Sequence, residues 1–189
     1  ESTEFMQVVK ATILAALLLI ILVISRDLGA GLIFFIAYMV MLYVATRKLY
    51  YFAGGLVCGA IASVAAYFLF SHVRVRVVAW QDPLAVFENA GNQVSNSLFA
   101  IGTGGWFGMG LNQGMPYKIP EVKQDFIFSA VAEELGGIFA ICLILVCVSC
   151  FLMFLNIAMQ MKDFFYKLVA LGLGTIYGFQ VLLSIGGDI

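Results

Sequence analysis

The sequence predicts an all-α, polytopic membrane protein, and three observations carry that prediction. The 189 residues are 63% hydrophobic and only 11% charged, with a mean hydropathy of +1.04. A soluble domain of this size has too little interior to hide so much apolar surface. Five apolar runs stand out, each about as long as the roughly 20 residues needed to cross a bilayer. The polar residues, by contrast, gather between the third and fourth runs. Segments inside hydrocarbon must be helical, because lipid offers backbone groups no hydrogen-bond partners. The net charge of −1 comes from few, scattered charges, which gives no reason to expect nucleic acid as a partner.

The first run is Ala11 to Ser25, extending back toward Val8. The second is Leu28 to Ala45 and the third Tyr50 to Phe70. The fourth begins at Phe126 and continues to about Met159, too long for one untilted span; either Gly136-Gly137 kinks it or its first turns stand proud of the lipid. The fifth is Leu168 to Ile185. Three regions follow: 1–70 with three transmembrane helices, 71–125 as an extracytoplasmic segment, and 126–189 with two more helices. The chain begins at Glu1 without a methionine and stops at Ile189 just after an apolar run, so a piece of a larger protein is expected.

Basic residues in short connections set the orientation. Lys10, Arg47-Lys48, Lys162 and Lys167 fall on one side by alternation, which is therefore read as cytoplasmic. The turn at Arg26-Asp27 and the whole of Ser71 to Asp125 fall on the other. Arg74 and Arg76 lie on that outer side against the count, and an anionic ligand would explain them.

Within the outer segment, Asp82-Pro83 has the form of an N-cap followed by proline at the first helical position. Leu84, Phe87, Val94 and Leu98 then recur at helical spacing among polar residues, predicting an amphipathic helix at the membrane surface. Gly102 to Gly110 follows, with five glycines around Thr103, Trp106, Phe107 and Met109. It matches neither the Walker spacing nor the dinucleotide fingerprint. Two readings stay open: backbone N–H groups that cradle phosphate oxygens, or a re-entrant turn packed on neighbouring helices. Trp80 and Trp106 suit an interfacial aromatic belt.

The stretch Pro116 to Gly137 concentrates acids and two lysines in an otherwise very apolar chain, and Asp125 is its last polar residue before hydrocarbon begins. A carboxylate at that boundary is costly unless it has a task or a partner. Glu133 and Glu134 follow two turns later; helical geometry puts Glu133 about 80° around from Asp125. The remaining features read as structure. Cys58, Cys142, Cys147 and Cys150 lie in apolar runs, so the Cys147–Cys150 spacing suits helix packing better than metal or redox chemistry. His72 suits a capping or interfacial role. Gly55 and Gly59 form a small-x-x-x-small pair expected at a helix contact.

Several stretches resemble a known family. Asp125-Phe126-Ile127-Phe128 followed by Glu133-Glu134-Leu135-Gly136 resembles the signature of the SEDS proteins (shape, elongation, division and sporulation), the FtsW, RodA and SpoVE group. Asp27-Leu28-Gly29-Ala30 is similar to the family's Asp-Leu-Gly-Thr. Arg76-Val77, Trp80 and Asp82-Pro83 resemble its Arg-Val-x-x-Trp-x-Asp-Pro stretch. Gln93, Ser97-Leu98 and Ala100-Ile101-Gly102 to Gly105 resemble its Gln-x-x-x-Ser-Leu-x-Ala-Ile-Gly-x-Gly-Gly run, continued by Trp106 to Gly110. The match covers nearly the whole chain. Two features depart from the pattern: Val122-Lys123-Gln124 replaces the usual Ala-His-Thr, and too few residues separate Ser2-Thr3-Glu4-Phe5 from Asp27.

The resemblance implies a fragment of a ten-helix SEDS fold in the bacterial cytoplasmic membrane. It implies a peptidoglycan glycosyltransferase that polymerises lipid II at the outer membrane face, for division, elongation or sporulation, alongside a class B penicillin-binding protein. Such chemistry needs a base for the acceptor hydroxyl and positive charge, from side chains or a divalent metal, for the pyrophosphate leaving group. Asp125 is the candidate base. Arg74, Arg76, Lys118 and Lys123 are candidates for the leaving group. Asp27, Gln93, Glu121 and Glu133 complete the substrate-binding candidates. A divalent cation, Mg or Mn, held by Asp125 and Glu121 is an option. The alternatives are a lipid II flippase and a non-catalytic scaffold for a penicillin-binding protein. A transporter ought to need ionisable groups at mid-depth, where these runs have almost none.

Overall fold

The computed structural model describes the chain except residues 1, 26, 82–90, 121, 123–125 and 189; of residues 2–4, 72, 76, 79 and 80 it describes the backbone alone. The elements are α1 (Ser2–Ile24), α2 (Leu28–Thr46), α3 (Leu49–Leu69), α4 (Ser71–Gln81), α5 (Asn92–Gly104), a 3₁₀ turn (Pro116–Lys118), α6 (Ile127–Gln160) and α7 (Phe164–Asp188). Five of them, α1, α2, α3, α6 and α7, are long and apolar enough to cross a membrane, as the hydropathy pattern predicts.

Three boundaries differ from expectation. Helix α1 starts well before Val8, because adding turns to a formed helix is cheap once the nucleus exists. Helix α4 is an addition: the alternation Val73-Arg74-Val75-Arg76-Val77 has no helical period. It forms because α3 hardly stops at Phe70. The Phe70 N–H reaches Ala66 O at 2.9 Å, and the Arg74 N–H reaches Phe70 O at 3.4 Å. Helix α5 holds Val94 and Leu98 and runs on to Gly104, into the glycine-rich stretch. The predicted start of that helix at Asp82-Pro83 lies outside the described residues.

The chain divides into two compact units, 1–64 with 151–180, and 65–150 with 181–189. In the first, the Thr12 and Tyr38 hydroxyls meet at 2.6 Å. Gly55 and Gly59 form the expected contact: a methyl group there would strike the side chains of Met39 and Phe35, so α2 and α3 approach closely. Phe154 packs on Tyr177 with ring centroids 5.6 Å apart. Arg47 closes α2 in a left-handed conformation, its N–H bonded to Tyr43 O.

The second unit holds two apolar clusters. Ala100, Ile119 and Phe126 pack with Val94 and Val122. Phe128, Ala132 and Ala140 pack with Ile101, Leu143, Ile144 and Ile185. The second is built on the head of α6, and Phe126 of the first directly precedes that helix. That helix has 34 residues and breaks at Gly136, where φ is 85° and ψ is 169°. Of the two options for this overlong run, the kink at Gly136-Gly137 is present. It leaves 137–160 as 24 helical residues, whose rise at about 1.5 Å per residue is enough to cross a bilayer core.

Candidate functional site

The break in α6 is filled by the glycine loop. In an unbroken helix the carbonyls of Glu133 and Glu134 would accept from the N–H groups of residues 137 and 138. Here they accept from Met109 (2.9 Å) and Gly110 (3.0 Å). The released donors turn to the loop instead, Gly137 N–H to Gly105 O at 2.8 Å and Ile138 N–H to Trp106 O at 3.3 Å. The exchange is two for two, so no backbone group is sacrificed by opening the helix.

Only glycine permits this approach. Gly108 has φ of 78° and Gly136 has φ of 85°, in the region that side chains resist. A Cβ on Gly108 would also overlap the Glu134 carbonyl, and one on Gly136 would overlap the Gly108 nitrogen. The N–H of Gly108 is itself bonded to Gly104 O. Of the two readings of this stretch, the packed re-entrant turn accounts for the N–H groups of Gly108, Met109 and Gly110. They are committed to protein carbonyls rather than presented to a phosphate.

One side chain reinforces the junction. Glu133 is 6% exposed, and its Oε1 accepts the Met115 N–H at 3.0 Å. Its Oε2 is buried without a hydrogen-bond partner among the described residues. Glu133 thus ties the segment that leads to the 3₁₀ turn onto the same helix that receives the glycine loop.

The first turn of α6 is held by a third contact. Asp188, at the end of α7, is fully buried together with Ser95, Ser97 and Ser129. Its Oδ2 accepts both the backbone N–H of Ser129 (2.9 Å) and the Ser129 hydroxyl (2.9 Å). The Ser97 hydroxyl donates to the Asp188 carbonyl at 2.6 Å and also touches the Ser129 hydroxyl. Ser129 is the third residue of α6, so Asp188 satisfies one of the four N–H groups that a helix start leaves open.

The candidate residues are distributed as follows. Asp125, Glu121 and Lys123 lie outside the described residues, as does the side chain of Arg76. Asp27 is exposed and caps α2, its Oδ1 accepting the Ala30 N–H at 3.0 Å; it belongs to the first unit. Arg74 is exposed, with Nη2 3.3 Å from Phe68 O and its guanidinium 5.7 Å from the Tyr67 ring centre. That places positive charge at the C-terminal end of α3, where the helix dipole favours it. Gln93 is half-buried in the first turn of α5. Lys118 is exposed and ends the 3₁₀ turn. The second unit therefore contains Arg74, Gln93, Lys118 and Glu133, and of these the glycine-loop junction engages Glu133.

Two members of the site's frame, Asp188 and Ser129, have no place in the sequence-based reading. A carboxylate at the end of an apolar run was the available signal, since such groups are costly without partners. Among the described residues no three His, Cys, Asp or Glu side chains converge as metal ligands; Asp125 and Glu121 lie outside that set.

Five membrane-length helices, with a polar connecting segment locked onto the head of α6, define a multi-pass helical membrane protein. The chain belongs to the FtsW/RodA/SpoVE family, whose model, described as "Cell cycle protein", matches residues 1–189. It is 36% identical over 167 residues to the peptidoglycan glycosyltransferase RodA of Mycobacterium tuberculosis (strain ATCC 25618 / H37Rv), covering 88% of this chain and 36% of that protein. It is 34% identical over 196 residues to the probable peptidoglycan glycosyltransferase FtsW of Aliivibrio salmonicida, covering 97% of this chain and 47% of the relative. The corresponding protein of Neisseria gonorrhoeae is 32% identical, with 98% and 41% covered. The chain thus spans about a third to a half of the length of these curated relatives. Its family and its five apolar helices make it a multi-pass protein of the bacterial inner membrane.

Proposed function

We propose that the protein containing this chain is a peptidoglycan glycosyltransferase that polymerises lipid II at the outer face of the membrane. The observation that carries this reading is the family match along the whole chain, with relatives named for that activity. The structure supports it by giving the polar segment a rigid seat. The glycine loop, Met115 through Glu133, and Asp188 all fasten to the first turns of α6, which follow Asp125 in the chain.

In this mechanism the carboxylate of Asp125 takes the proton of the acceptor sugar hydroxyl. That oxygen forms a bond to the anomeric carbon of the donor sugar, and the carbon–oxygen bond to pyrophosphate breaks. Attack from the face opposite the leaving group inverts the anomeric centre, and undecaprenyl pyrophosphate departs with the electron pair. Arg74, Arg76, Lys118 and Lys123 are the groups available to neutralise the leaving pyrophosphate. Asp27, Gln93, Glu121 and Glu133 are proposed substrate-side residues. For Glu133 the contact is indirect, since its carboxylate is buried and holds Met115. A divalent cation, Mg or Mn, held by Asp125 and Glu121 would supply further neutralising charge. A class B penicillin-binding protein is the proposed partner, cross-linking the glycan as it emerges.

The test is polymerisation of labelled lipid II by the purified full-length protein. Glycan strands are expected. Translocation of lipid II in vesicles without polymer would instead identify a flippase, and neither activity would identify a scaffold.

A further inference from the structure

We infer that Asp188 is a positioning residue for the reaction: it fixes the head of α6, the helix that directly follows Asp125 in the sequence. The inference rests on the proposed role of Asp125 as base. Ser129 follows Asp125 by four residues in the chain and lies in the first turn of α6. Its N–H belongs to the set that no intrahelical carbonyl can satisfy. A helix normally solves this with a local cap, as α2 does with Asp27. At α6 the acceptor comes from a different helix, 59 residues away in sequence.

The geometry suits a locator better than a simple cap. One oxygen, Oδ2, takes two bonds from the same residue, from its amide and from its hydroxyl. These fix the rotation of the first turn of α6 as well as its height. The Asp188 carbonyl in turn receives Ser97 from α5, so three helices meet at one point. All the side chains involved are excluded from solvent, where a satisfied polar network is rigid and a broken one is costly. The site chemistry needs that rigidity, because misplacing a reacting group by 1 Å costs on the order of 100-fold in rate.

The test compares variants of the full-length protein in lipid II polymerisation, with kcat and KM resolved. Asp188→Ala is expected to lower kcat at least about tenfold, in line with that cost of misplacement, while KM stays within about threefold. Asp188→Asn keeps an oxygen able to accept both Ser129 bonds, so it is expected to restore kcat to within about threefold of wild type. If Asp188→Ala does not fold, Asp188→Glu takes its place, since it moves the carboxylate by one methylene and keeps the charge. Wild-type kcat in the displacing variant would overturn the inference. So would an Asp188→Asn protein as impaired as the displacing variant, because charge rather than hydrogen-bond geometry would then matter. Asp125→Asn, run in parallel, separates the two levels. If it stays active, the base assignment fails; if it is inactive while Asp188→Ala is normal, the positioning role alone fails.

Discussion

Met109 donates its backbone N–H to the carbonyl of Glu133 at 2.9 Å, the acceptor that Gly137 would use in an unbroken helix. With the matching exchange at Gly110 and Glu134, this makes the glycine loop an integral part of α6. A polar connecting segment is thereby attached to a membrane-length helix by main-chain bonds, whose geometry depends little on which side chains the loop carries. The side-chain anchors at Glu133 and Asp188 then act on either side of a joint that the backbone already defines.

Glycine substitutions measure that joint. Gly108→Ala places a methyl group against the Glu134 carbonyl at a φ of 78°, a conformation that alone costs about 1–2 kcal/mol. Thermal unfolding of the purified full-length protein should show a clear loss of stability. Gly102→Ala is the control. It lies on α5 with nothing within 4 Å of the new methyl, and alanine in a helix gains about 0.5–1 kcal/mol over glycine. Equal stability of the two variants would contradict the packed-loop arrangement.

Glu133 is tested by separating its shape from its charge. Glu133→Gln keeps an oxygen to accept the Met115 N–H, whereas Glu133→Ala strands that donor, at a cost of about 1–3 kcal/mol. Stability should therefore be near wild type in Gln and reduced in Ala. Polymerisation by the Gln variant then reports the charge alone: full activity would leave Glu133 as an anchor and remove it from direct substrate contact.

Orientation is checked by placing single cysteines at Lys48 and Asn92 in a background lacking Cys58, Cys142, Cys147 and Cys150. An impermeant thiol reagent applied to intact cells should label position 92 and spare position 48. The reverse pattern would turn the polar segment inward and overturn an outward-facing site.

For the leaving group, alanine is placed singly at Arg74, Arg76, Lys118 and Lys123. At least one change should lower turnover about tenfold or more, since such transition-state contacts are worth several kcal/mol. Arg74→Ala carries a second expectation, a small loss of stability from its contacts with Phe68 O and Tyr67. Intact polymerisation in all four would transfer the task to a metal or to backbone groups, and inactivation by EDTA would distinguish these.

Asp125→Asn separates a base from a helix cap. Asparagine caps about as well as aspartate but cannot accept the proton. Expression and thermal stability should stay near wild type while lipid II polymerisation is lost. Normal activity in Asp125→Asn would end its assignment as base.

The sequence by itself determined the five apolar helices, their order and the family, and it marked Gly136-Gly137 as one of two ways to accommodate an overlong run. Each is written in local composition or in short motifs, because a residue's preference for hydrocarbon and a glycine's freedom of φ belong to that residue alone. Helix α4 escaped because its Val-Arg alternation hides a helical state inherited from α3 across Phe70. Only the tertiary structure decided what the glycine stretch does. The choice between cradling a phosphate and closing a helix depends on which carbonyls come within 3 Å of its N–H groups, and Glu133 and Glu134 lie more than twenty residues away. Asp188 was still less legible. Its partners, Ser129 and Ser97, are separated from it by 59 and 91 residues, and a hydrogen bond across that distance leaves no period or spacing in the chain. What brings the three together is the packing of α5, α6 and α7, whose apolar faces must be buried before their few polar atoms can meet.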